Sequence, residues 1–175
     1  MLGFLTAFIY YLEMPILAGI LVQLVSILDG VDGELARLLN KQSKVGAFLD
    51  SVSDRIIDIS VMVAFAFYAY KNDNFVNLYG LKIFITVALF ALIGSLLVSY
   101  INTRAEATIG KHPTQLGVPS IATRDVRLFI ICIGSIIGYF LYTLVIIALL
   151  TNLYVLISIF CVTKNGNEIN ISNDN

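Results

Sequence analysis

The apolar positions of this chain fall in long runs broken by a few polar stretches. Leu2 to Leu12 is apolar but short of the roughly 20 residues that a spanning helix needs. It reads as the end of a truncated first helix. Glu13, Met14 and Pro15 break the run, and Pro15 suits the first turn of a following helix. Ile16 to Leu28 is apolar and leads straight into an acidic stretch, Asp29 to Arg37. A third apolar segment, Ala47 to Tyr70, carries Asp50, Asp54, Arg55 and Asp58 in its first half. Lys71 to Gly80 is a polar loop, Leu81 to Tyr100 a fourth span that ends through Ile101 to Gly110, and Lys111 to Thr123 a loop punctuated by Pro113, Gly117 and Pro119. Leu128 to Val162 has no charge, and at roughly 35 residues it is too long for one crossing of a core of about 30 Å. It predicts two helices with a tight turn between Gly138 and Thr143, where Tyr139 and Tyr142 suit the membrane interface. The expected architecture is all-α: a polytopic bundle of six transmembrane helices over residues 1–163, with a polar, disordered tail at 164–175.

Composition agrees with that class. Hydrophobic residues make up 58% of the 175 and charged ones only 13%, more apolar surface than a soluble domain of this size could bury. A net charge of −1 gives no reason to expect a nucleic-acid partner. Cys132 and Cys161 are far apart in apolar runs and read as small buried hydrophobes. The cations decide orientation. Arg37, Lys41, Lys44, Arg55, Arg104, Lys111, Arg124, Arg127 and Lys164 share one side of the expected topology, against Lys71 and Lys82 on the other. Positive residues concentrate on the cytoplasmic face, so a multi-pass cell-membrane protein with both charged clusters open to the cytoplasm is expected.

The chemistry is concentrated between Asp29 and Asp58. On a helix, Asp29, Asp32, Gly33, Ala36 and Arg37 fall on one face, and on the next helix Gly46, Asp50, Asp54 and Asp58 do the same. Face to face, the two helices would bring four or five carboxylates into one small volume. Carboxylates so close, and poorly solvated, tolerate ionisation only around a cation. Hard oxygen donors suit Mg²⁺, Mn²⁺ or Ca²⁺, and such an ion in turn attracts a diphosphate. Gly33 and Ala36 remove bulk beside it, and Arg37 adds a phosphate-binding fork. A solvated acidic turn between helices would not explain aspartates at every fourth position of an apolar helix.

These residues carry a resemblance. Asp29, Asp32, Gly33, Ala36, Arg37, Gly46, Asp50 and Asp54 fit the pattern D-x2-D-G-x2-A-R-x8-G-x3-D-x3-D at every specified position. The chain thereby resembles the CDP-alcohol phosphotransferases over about residues 16 to 162. The resemblance implies a six-helix fold, often dimeric, and a Mg²⁺ (or Mn²⁺) site made by Asp29, Asp32, Asp50 and Asp54. It implies Asp54 as the catalytic general base and a CDP-binding patch of Gly33, Ala36, Arg37, Ser43 and Gly46. The activity implied is transfer of a phosphoalcohol from a CDP-linked donor to a hydroxyl, with release of CMP. Family members also carry an upstream amphipathic segment and a Pro-Asn-x-x-Thr-like stretch, and this chain begins after that point.

A second cluster bears on the acceptor. Arg104 closes the fourth span and Arg124, Asp125 and Arg127 open the fifth, so the three arginines are expected around one cytosolic cavity. They serve either as interfacial anchors or as a pocket for an anionic acceptor. The stretches Tyr100 to Glu106 and Thr123 to Arg127 are similar to those of members whose acceptor is a phosphorylated polyol, notably inositol 1-phosphate. Ser26 to Glu34 with Arg124 to Arg127 is especially similar to the di-myo-inositol phosphate phosphate synthases, whose donor is CDP-inositol rather than a CDP-lipid. Those proteins often carry an upstream cytidylyltransferase domain. His112, alone in its loop, reads as incidental. Two other classes place acidic residues in membranes. An intramembrane prenyl-diphosphate transferase has its two acidic motifs far apart in a longer chain. A divalent-cation transporter needs carboxylates near the bilayer midplane, whereas these sit toward one end.

Overall fold

The computed structural model describes residues 2–39, 43–72 and 80–173, with side-chain surroundings for all of these except Leu2, Asp32, Gly33, Ala36, Arg37, Lys44 and residues 165–173. The described residues form six α-helices and no strand: α1 (Leu2–Tyr11), α2 (Pro15–Leu38), α3 (Lys44–Asn72), α4 (Leu81–Ile109), α5 (Arg124–Ile137) and α6 (Phe140–Asn173). The expected breaks hold where local chemistry dictates them. Pro15 opens α2, where its missing N–H costs nothing. Gly138 ends α5 in the left-handed conformation at φ 85°, with its N–H on the Gly134 carbonyl, and α6 starts two residues later. Tyr139 and Tyr142 flank this turn, exposed and edge-to-face. The α4–α5 connection, expected as plain loop, contains a 3₁₀ turn at Pro113–Leu116. His112 caps that turn: its side chain accepts from the Thr114 N–H while Gln115 returns a bond to the His112 N–H. The helical backbone of α6 continues through Asn173, into the stretch whose composition reads as a disordered tail.

Helix packing follows small residues. The broadest interface joins α4 to α6, followed by α2 with α5 and α1 with α3. A Cβ on Gly19 of α2 would fall 2.6 Å from the Ser135 Cβ of α5, so glycine sets that approach. The main core lies where α1 to α6 meet, around Tyr10, Val22, Phe65, Ile131, Leu144 and Ile147. A smaller one packs Val118 and Ala122 of the α4–α5 connection against Val98, Tyr154 and Val155. Outside these cores the surface stays apolar: Ile85, Leu89, Phe90 and Ile93 on α4 and Leu149, Leu153, Leu156 and Phe160 on α6 are all exposed. Apolar patches of this extent require a non-aqueous partner.

Two helices, Leu81–Ile109 and Phe140–Lys164, are long and apolar enough to cross a bilayer. The others miss that standard for visible reasons. The described part of α1 has 10 residues and α5 has 14, about 21 Å of helix; the apolar described part of α2, Pro15–Val31, is also short, and α3 carries aspartates in its first half. The bundle nonetheless has two distinct ends. At one, the Lys71 ammonium of α3 pairs with Glu13 in the α1–α2 turn. At the other lie the aspartates of α2 and α3 and the first turn of α5.

Candidate active site

The site is assembled from three helices, with α5 at its centre. Thr123, in extended conformation, is the N-cap of α5, which places Arg124 in the first turn and Arg127 one turn later on the same face. Asp125, in that first turn, suits the positive end of the helix dipole and accepts a 2.6 Å hydrogen bond from Ser26 Oγ of α2. That bond ties α2 to α5 one turn before Asp29. On α3, spacings of four residues stack Asp50, Asp54 and Asp58, and the helix start is closed by Ser43, whose Oγ accepts from the Gly46 N–H at 2.9 Å.

Arg124 joins these elements. Its Nη1 donates to Asp29 Oδ2 of α2 at 2.5 Å and lies 3.1 Å from Asp54 Oδ1 of α3. Its Nε donates to Asp58 Oδ1 at 3.0 Å. The third nitrogen, Nη2, is buried and has no hydrogen-bond partner among the described residues. Asp58 is a second hub. Its side chain is only 10% exposed, and Oδ2 takes Arg55 Nη1 at 3.2 Å and Arg127 Nη2 at 3.4 Å. Arg127, 4% exposed at its side chain, also donates from Nη1 to the Ser95 carbonyl of α4 at 2.6 Å. The void beside this hub is about 10 Å³, with room for no more than one water.

This differs from the expected geometry in one respect. Helices α2 and α3 do not share a substantial packing interface. Their carboxylates meet where a guanidinium from α5 reaches both, since anionic side chains repel unless a cation is beside them. Asp29 and Asp54 are thus brought together, with Asp58 added. Asp50 is exposed one turn nearer the start of α3 and acts on Asp54 through its charge. Asp32, Gly33, Ala36 and Arg37 lie in the last turns of α2, with side chains outside the described residues. Arg124 and Arg127 reach the site. Arg104 is exposed on α4 nine residues past Ser95, about 13 Å along the axis, and forms no ion pair among the described residues. Sequence reasoning placed Asp58 on the acidic face of α3 through its repeat of four but gave it no ligand or catalytic role, and Ser26 and Asp125 entered only as members of the stretches that carry the resemblance.

The donor set fits a hard divalent cation. Asp29 and Asp54 are oxygen ligands already gathered on one cation, the Arg124 guanidinium. Among the described residues no three His, Cys, Asp or Glu side chains are arranged as a metal centre. Arg124 already pairs with both Asp29 and Asp54, and Asp32 is outside the described side chains.

Comparison with known proteins places the chain in a family. Residues 1–133 match the model of the CDP-alcohol phosphatidyltransferase family. The chain is 37% identical over 176 residues to the bifunctional IPC transferase and DIPP synthase of Aquifex aeolicus, covering 95% of this chain and 38% of that protein. It is likewise 37% identical over 132 residues to the archaetidylinositol phosphate synthase of Pyrococcus horikoshii, covering 75% of this chain and 62% of the other. A phosphatidylinositol phosphate synthase of Streptomyces avermitilis is 39% identical over 80 residues, 45% of this chain and 30% of its own. The chain spans less than two thirds of the length of these relatives. The match covers both halves of the aspartate motif and the arginines of α5, and on that extent the chain belongs to the CDP-alcohol phosphatidyltransferase family.

Proposed function

We propose that this protein transfers a phosphoalcohol group from a CDP-linked donor to the hydroxyl of a polyol-phosphate acceptor, releasing CMP. The observation that carries the reading is the convergence of Asp29 from α2 and Asp54 from α3 on one guanidinium, since it brings both halves of the motif to a single point. Asp29, Asp32, Asp50 and Asp54 would hold a divalent cation, Mg²⁺ or Mn²⁺. Bound there, such a cation supplies charge neutralisation for a diphosphate.

The residues of the chain supply the rest. Asp54 accepts the proton of the acceptor hydroxyl, whose oxygen then attacks the β-phosphorus of the donor. The bond from that phosphorus to the CMP oxygen breaks, and CMP leaves with the electron pair. Gly33, Ala36, Arg37, Ser43 and Gly46 form the CDP-binding patch, with the Ser43 hydroxyl still able to donate because its bond to Gly46 uses only the oxygen as acceptor. Arg124 and Arg127, with Arg104 farther out, attract the phosphate of the acceptor. The inositol phosphate in the names of the P. horikoshii and S. avermitilis relatives supports that acceptor class. Exposed Val45, Phe48, Leu49 and Val52 on α3 beside Asp50 would give a lipid-linked donor a route from the bilayer, while CDP-inositol is the water-soluble alternative. Six membrane crossings, a cytoplasmic site and a homodimer complete the proposal.

The test is an assay of purified protein with inositol 1-phosphate, comparing CDP-diacylglycerol or CDP-archaeol with CDP-inositol and identifying the product. CMP release with one donor class is expected, and Asp54→Asn should lower kcat by about 10²–10⁴-fold while CDP binding persists. A near-normal rate in that variant would remove Asp54 as the base.

A further inference from the structure

Arg124 holds two kinds of partner at once, and they are not equivalent. Through Nε it is fixed to Asp58, a buried carboxylate that also takes Arg127 and Arg55. Through Nη1 it bridges Asp29 and Asp54, which are more exposed at 37% and 19% of their side chains. Nη2 has no hydrogen-bond partner among the described residues although it is buried. A buried donor left unpaired is costly, and the cost is relieved if the guanidinium edge finds an anion. The cation between Asp29 and Asp54 therefore has an anchor on one side and an unused donor on the other.

We infer that Asp58 is a positioning residue on which Arg124 pivots, and that its guanidinium and a divalent cation exclude one another between Asp29 and Asp54. This rests on the metal-site reading given above. When Nη1 leaves the two aspartates, the Nη1–Nη2 edge, still tethered through Nε, is offered to the phosphate of the acceptor. Arg124 is then the counter-ion of the site before loading and an anion ligand afterwards. Metal and acceptor phosphate would accordingly help one another bind, because each favours the same position of one side chain. That coupling is reciprocal by thermodynamic linkage.

Equilibrium binding of Mn²⁺, followed by its electron paramagnetic resonance signal in detergent-solubilised protein, tests this without turnover. In the wild type, glycerol 3-phosphate should tighten Mn²⁺ binding about 5- to 10-fold, within the usual range of coupling between sites. Arg124→Gln should tighten Mn²⁺ binding with no phosphate present and abolish the effect of glycerol 3-phosphate. Arg124→Lys keeps the charge but cannot fork, and should retain competition while losing most of the coupling. Arg55→Gln removes an equal charge from a more exposed residue that touches neither Asp29 nor Asp54. If it tightens Mn²⁺ as much as Arg124→Gln, the effect is one of net charge and the exchange is refuted. Unchanged Mn²⁺ affinity in Arg124→Gln also overturns it, as does coupling that survives in that variant, which would mean that phosphate bridges the metal directly. Absence of Mn²⁺ binding in the wild type would instead defeat the metal-site reading, and this inference with it.

Discussion

Asp58 and Arg127 are the charged side chains most withdrawn from water at the site, and each depends on the other. Removing one partner of a buried ion pair leaves an uncompensated charge, which costs about 3–5 kcal/mol, whereas an exposed pair such as Lys71 with Glu13 contributes at most about 1 kcal/mol. Asp58→Leu should therefore lower the thermal midpoint of the detergent-solubilised protein far more than Glu13→Gln. Adding Arg127→Leu to Asp58→Leu should recover part of the loss, because the orphaned charge goes with it. Equal midpoints for Asp58→Leu and Glu13→Gln would mean that the hub is solvated. At this scale the sequence was partly readable. Helical spacing alone aligned Asp50, Asp54 and Asp58, but no local pattern could show that Asp58 faces Arg127 across sixty-nine positions of chain. Partnerships of that kind arise from tertiary packing, which leaves no periodic trace.

Helix ends were legible for a similar reason: a proline or a glycine acts through its own backbone. Pro15 opens α2 and Gly138 closes α5 with no help from elsewhere. Which helices would pack was not legible, because long apolar faces are alike around their circumference. The choice is made by small residues at contact points, visible only once partners are known. Gly134 of α5 faces Thr143 of α6 so closely that a Cβ would fall 2.8 Å from the Thr143 Cβ, while a Cβ on Gly30 of α2 meets nothing within 4 Å. Gly134→Ala should destabilise by about 1–3 kcal/mol through overpacking. Gly30→Ala should be neutral or stabilise by about 0.5–1 kcal/mol through helix propensity. Thermal unfolding of the two variants side by side checks this, and the same sign for both would contradict the close α5–α6 approach. The same logic seats α2 on α5, since Gly19 lets α2 approach Ser135 and Ser26 then bonds Asp125, while α1 packs against both α2 and α3.

For the molecule as a whole, charge and apolar exposure argue for one orientation. The end of the bundle bearing Arg55, Arg124 and Arg127 is the one that gathers positive residues, and the opposite end has Lys71 and Lys82. If the bundle is inserted with its arginines toward the cytoplasm, a cysteine replacing Lys71 should react with a membrane-impermeant maleimide in intact cells. One replacing Lys111 should react only after permeabilisation, both in a background lacking Cys132 and Cys161. Labelling of both positions from outside would contradict that topology. The all-helical class was evident from run lengths and hydropathy. The number of crossings is harder to read from α2 and α3, because the carboxylates that supply the chemistry are the residues that interrupt their apolar runs.

The account depends on Asp29 and Asp54, from different helices, acting as one unit, and a double-mutant cycle on the rate of CMP release measures that directly. Asp29→Asn and Asp54→Asn should each reduce the rate by about 10²–10⁴-fold, and the double variant should be no more than about 10-fold worse than the poorer single one, as for groups that work together. Losses that multiply, as they do for independent sites, would show that the two aspartates do not share a centre.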